Sequence, residues 1–107
     1  MKLVYLAGPY RGRSEWDVHT NIQQAEWYAA EITKRRGDLF CVTPHKNTAY
    51  MGGLQPDKYF LDGTLELLRR CDYIYLLPNW ETSAGAVAEE KEARRLNIKD
   101  ITEEIDI

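Results

Sequence analysis

Cysteine and histidine are scarce in this chain of 107 residues, two of each, and they fall in no metal-ligand spacing. No metal centre is therefore expected, and no disulfide framework. Cys41 and Cys71 each lie in an apolar stretch and read as reduced thiols packed as small hydrophobes. Lys and Arg form no long block and the formal net charge is −3, which argues against binding a nucleic acid polymer. Long apolar runs are missing as well. The opening MKLVYLAGPY is too short for a signal peptide or a membrane span, so the expectation is a cytoplasmic protein with no membrane partner. There is no G-x-G-x-x-G fingerprint, no Walker loop, no internal repeat and no linker. No cofactor is implied.

What the chain does contain is 44% hydrophobic residues, enough for the modest core of one domain spanning residues 1–107. Strand and helix patterns alternate along it. Leu3 to Ala7 reads as a buried strand stopped by Gly8-Pro9. From Asp17 to Arg36, Val18, Ile22, Ala25, Tyr28, Ala29 and Ile32 recur at helical spacing before Gly37. Leu39 to Val42 predicts a second strand, and His45 to Pro56 a long loop. A second helix follows over Asp57 to Arg70, with a continuous apolar strand at Tyr73 to Leu77 and a third helix from Ala84 to Leu96. Ile98 to Ile101 suits a fourth strand, and the acidic tail has no clear pattern.

Strands separated by helices imply parallel pairing. The expected fold class is α/β: a Rossmann-like or flavodoxin-like three-layer sandwich around four or five parallel strands in the order 2-1-3-4. In that order the loops after the first and third strands flank one crevice, the usual ligand position in open α/β sheets. Arg11, Arg13, His45, Asn47, Asn79, Glu81, Ser83 and Glu89 all follow strand ends and fall at that crevice. Ser83 and Gly85 open the third helix and Glu89 lies one turn inside it, so a carboxylate stands beside free backbone N–H groups. Taken alone, Glu89 also suits a solvated helix face, Tyr5 a core aromatic, Ser83 a plain N-cap, and the arginines of GPYRGR a tight turn. Trp80 is placed either to stack on a base or to pack beneath its loop. Trp16 and Trp27 suit packing or a subunit contact, and Asp72 a backbone-fixing role.

Four segments carry a resemblance to a known family: YLAGPYRG at the start, Thr43-Pro44-His45, LELLRRCD at Leu65 to Asp72, and LPNWETSAGAVAE at Leu77 to Glu89. Together, over roughly residues 3 to 98, they resemble the nucleoside 2-deoxyribosyltransferase-like superfamily, in particular a small phage and bacterial branch. Characterised members of the superfamily include deoxyribosyltransferases and 2′-deoxynucleoside 5′-phosphate N-hydrolases. The resemblance implies N-glycosidic bond cleavage or transfer on a nucleoside or, preferably, a nucleoside 5′-monophosphate. The glutamate of a G-x-x-x-E motif attacks the anomeric carbon in those enzymes, and Gly85 and Glu89 stand at that spacing. An ionised carboxylate against C1′ stabilises an oxocarbenium-like state and can trap it covalently. Tyr5 matches a tyrosine that orients the nucleophile.

The resemblance further implies that Ser83, six residues before the nucleophile, holds a 5′-phosphate, as a serine does in the N-hydrolases; the transferases carry aspartate there. Gly8 and Arg11 match the phosphate loop, while Pro9 replaces a phosphate-contacting serine. A second departure is Thr64, where relatives carry an aspartate that helps protonate the leaving base. The remaining candidates for that proton are Asp62, His45 or bound water, and His45 and Trp80 are candidate substrate contacts. Relatives form dimers or larger assemblies, which implies a homodimer or higher homo-oligomer here. The alternative from a different class is a nucleotide-binding or sensing module that uses the same crevice without turnover.

Overall fold

Residues 1–107 are described by a computed structural model. Strand β1 (Lys2–Ala7) leads to helix α1 (Glu15–Arg35), strand β2 (Leu39–Val42) and a single helical turn, α2 (Pro44–Asn47). Helix α3 (Asp57–Arg69), strand β3 (Tyr73–Leu76), helix α4 (Ala84–Arg95) and the two-residue strand β4 (Lys99–Asp100) complete the sheet. All pairings are parallel and the strand order is β2-β1-β3-β4, as expected. No helix is long and apolar enough to cross a membrane.

The period-two geometry of β1 divides the core. Val4 and Leu6 face one layer, where Ala25 and Ile32 of α1 pack with Leu39, Tyr75 and Leu77. Tyr5 and Ala7 face the other layer, with Leu68 of α3 and Ala93 of α4. Both faces of the strand are thus covered, which is why its sequence is apolar throughout. Asp72 has the backbone-fixing role expected of it: its Oδ2 accepts from Leu3 N at 2.8 Å.

Several element boundaries shift by a residue from the sequence expectation, and four differences have a local physical reason. Helix α1 begins at Glu15 because Ser14 caps it, its Oγ accepting from Asp17 N at 3.3 Å. The stretch from His45 onward is not all loop. Pro44 takes the first helical position, where its missing N–H costs nothing, and Lys46 N then closes onto Thr43 O at 3.0 Å. Strand β4 is shorter than Ile98 to Ile101, since only Lys99 and Asp100 pair with β3. The acidic tail is ordered: Thr102 Oγ1 accepts from Leu76 N at 2.8 Å, and Ile101 and Ile105 are buried against the α1 side.

Candidate active site

Because Tyr5 faces the α3–α4 layer, its phenol reaches the inner side of α4. There the hydroxyl donates to Glu89 Oε2. Glu89 is only 7% exposed, an unusual position for a carboxylate with no cation beside it. Burial pushes its pKa up to about 7; the bond from Tyr5 and the nearby Thr64 hydroxyl dipole act in the opposite direction but do not cancel it. Burial, followed by the adjacent Glu89 charge, raises the Tyr5 phenol well above its ordinary value. Tyr5 therefore remains a donor, and Glu89 is poised to switch between acid and carboxylate near neutral pH. Thr64 stands beside both from α3, while its Oγ1 donates to Leu61 O at 3.1 Å.

Glu89 lies in the wall of a cavity of about 530 Å³, within the range of small-molecule sites. Ser83, Ala84, Gly85 and Ala86 line it from the start of α4, and Gly8 to Arg11 from the loop after β1. Ser83 caps α4, with Oγ accepting from Ala86 N at 3.2 Å. The amides of Ala84 and Gly85 have no backbone partner, so the helix presents free donors and the positive end of its dipole. Gly8 is required by close approach: a Cβ there would sit 2.7 Å from Leu77 Cβ and 2.8 Å from Leu77 Cδ1.

His45 enters from α2 and is 4% exposed. Its Nε2 lies 3.2 Å from Gly8 O and 3.1 Å from Pro9 O. Carbonyls only accept, so Nε2 carries the proton, and Nδ1 is sealed without a partner. Burial pulls the imidazole below its ordinary pKa despite those two bonds. His45 is thus a neutral clamp on the β1–α1 loop. Across the mouth, Arg11 Nη2 pairs with Asp57 Oδ1 at 2.7 Å, joining that loop to the start of α3. Exposed pairs of this kind are worth about 0–1 kcal/mol, so an incoming anion can readily displace one.

The structure therefore gathers Tyr5, Gly8, Pro9, Arg11, His45, Ser83, Gly85 and Glu89 in one place. Asp62 is not among them. It is exposed and does not line the cavity, and it accepts from Lys58 Nζ at 2.6 Å, because two residues along a helix turn a side chain away from the Thr64 face. Trp80 does not line the cavity either, nor do Arg13, Asn47, Asn79 and Glu81. Trp16 and Trp27 are 70% and 54% exposed rather than packed into this chain's core. Residues missed from the sequence include Tyr10, Thr48, Gly52, Asp57, Lys58, Phe60, Leu61 and Thr82. Asp57 and Lys58 carried a usable signal: α3 starts at the end of the sheet where β2 finishes, so its first turn had to open on the crevice.

The fold and this arrangement accompany a family assignment. The chain belongs to the family described as a domain of unknown function (DUF4406), whose model matches residues 2–102. No curated protein matches it.

Proposed function

We propose that this member of the DUF4406 family cleaves or transfers the N-glycosidic bond of a nucleoside 5′-monophosphate, with Glu89 as the nucleophile. The observation that carries the reading is the buried Glu89, held by Tyr5 and set in the cavity wall beneath the free amides of α4. A carboxylate in that position attacks C1′ as the C1′–N bond breaks, giving a glycosyl ester that water or a second acceptor then opens. Tyr5 fixes one carboxylate oxygen. Ser83, the amides of Ala84 and Gly85, and Arg11, once released from Asp57, supply donors and positive charge for the phosphate. The resemblance of Gly85, Glu89, Ser83 and Tyr5 to the deoxyribosyltransferase-like pattern supports the same roles. A homo-oligomer working in the cytoplasm fits this reading, and the exposed Trp16, Tyr50 and Leu54 offer apolar surface for a second copy.

A second reading, nucleotide binding without turnover, is favoured by Thr64, which supplies no carboxylic acid opposite Glu89. Incubating the protein with nucleosides and their 5′-monophosphates, and separating free base by chromatography, decides between them. Base release that falls by about 10³ or more in Glu89→Gln supports the enzyme. Ligands that raise the melting temperature without any release support the binding module.

A further inference from the structure

Six titratable side chains line the cavity: Tyr10, Arg11, His45, Asp57, Lys58 and Glu89. Glu89 is taken as the nucleophile. Asp57 stands at the open mouth, its side chain 79% exposed, where it pairs with Arg11 at 2.7 Å until phosphate displaces it, and Lys58 donates to Asp62 at 2.6 Å. The His45 Nε2 proton is shared between Gly8 O and Pro9 O, and its Nδ1 is closed off. Tyr10 Oη accepts from Tyr50 N at 2.9 Å and is a phenol, neither a carboxylic acid nor an imidazolium. Thr64, which faces Glu89 from α3, is an alcohol whose proton goes to Leu61 O. No carboxylic acid or imidazolium is left to protonate a departing base.

That restricts the leaving group. A neutral purine or pyrimidine glycoside expels an anion unless an acid protonates it, whereas a base already carrying positive charge at the glycosidic or a conjugated ring nitrogen departs neutral. We propose that the substrates turned over at this site are nucleotides whose base is a cation in the intact glycoside, of the pyridinium or N7-alkylpurine class. The proposal rests on the glycosyl-transfer reading above. Charge also favours it. With the 5′-phosphate on Arg11 and Asp62 on Lys58, no unpaired cation in the wall opposes such a base, and a bound cation favours the ionised form of Glu89.

In the first step Glu89 forms a C1′–O bond while the C1′–N bond breaks with its electron pair going to nitrogen, releasing neutral base. In the second, water adds at C1′, the ester C1′–O bond breaks back to the Glu89 carboxylate, and one proton passes to solvent. Each hydrolysis of a cationic substrate thus releases one proton, and no oxidant or further reactant is involved.

The test is a comparison of matched substrates on the full chain: 7-methylguanosine 5′-monophosphate against guanosine 5′-monophosphate, and nicotinamide mononucleotide against uridine 5′-monophosphate, with 2′-deoxy forms of the neutral pair included. General acid catalysis contributes about 10²–10⁴ to rate, so its absence predicts kcat/KM for base release at least about 100-fold higher for the cationic members. A smaller ratio overturns this inference and leaves the glycosidase reading intact. Release from the cationic substrates that is unchanged in Glu89→Gln overturns both, as does binding of every substrate with no release from any.

Discussion

A buried carboxylate that titrates near neutrality must leave a mark on stability, and Glu89→Gln exposes it. Glutamine keeps the volume and still accepts from Tyr5, but carries no charge to desolvate. In the native protein the Glu89 pKa is raised from the ordinary 4.5 to about 7. The folded state therefore binds an extra proton between those values, and its stability falls as pH rises from about 4.5 to about 7. Referenced to full protonation, a shift of that size costs about 1 kcal/mol at pH 5 and about 3 kcal/mol at pH 8. The variant escapes this cost, so the stability difference between variant and wild type grows by about 2–3 kcal/mol from pH 5 to pH 8. For a domain of this length that is of order 10 °C in melting temperature. Urea denaturation of both proteins at the two pH values reads the difference directly, since every other titrating group cancels between them. A variant no more stabilised at pH 8 than at pH 5 would refute the claim that Glu89 is desolvated.

Other substitutions probe separate parts of the site. Tyr5→Phe removes the hydroxyl that favours the ionised Glu89, so the acidic limb of the pH–rate profile should move upward by about one unit, with the base-release rate reduced. An unmoved limb would show that Tyr5 acts only through packing. Ser83→Ala loses the 3.2 Å cap on Ala86 N and should destabilise the protein by about 1 kcal/mol in thermal melts. If Ser83 also holds phosphate, KM rises more for a 5′-monophosphate than for its nucleoside; equal changes would confine it to capping. Gly8→Ala drives a methyl group into Leu77 and should cost about 1–3 kcal/mol in urea denaturation, whereas an unchanged midpoint would mean that the end of β3 yields freely.

Most of the framework was legible because its signals are local. The strand order followed from short apolar runs alternating with helical spacing of three and four, and β1 appears as a continuous apolar run because helices cover it on both sides. The spacing of Ser83, Gly85 and Glu89 on α4 is likewise a property of one helix. What the sequence could not convey was partnership across the fold. Asp57 is separated from Arg11 by 45 intervening residues, and nothing local indicates that they meet across the mouth. The short helix α2 lacks the amphipathic repeat that marks longer ones, so His45 read as a loop residue rather than a buried clamp. Asp62 was considered for its chemistry, and helical geometry turned it outward.

In the proposed reaction Glu89 itself attacks the sugar. Incubation with a 2′-deoxy-2′-fluoro nucleoside 5′-monophosphate, whose fluorine slows breakdown of a glycosyl ester, followed by peptide mapping in a mass spectrometer, tests it directly. One added fluorosugar phosphate per chain is expected, on the peptide containing Glu89 and on that residue. A stable label on any other residue, or base released from the analogue at the rate of the natural substrate with Glu89 unmodified, would contradict it.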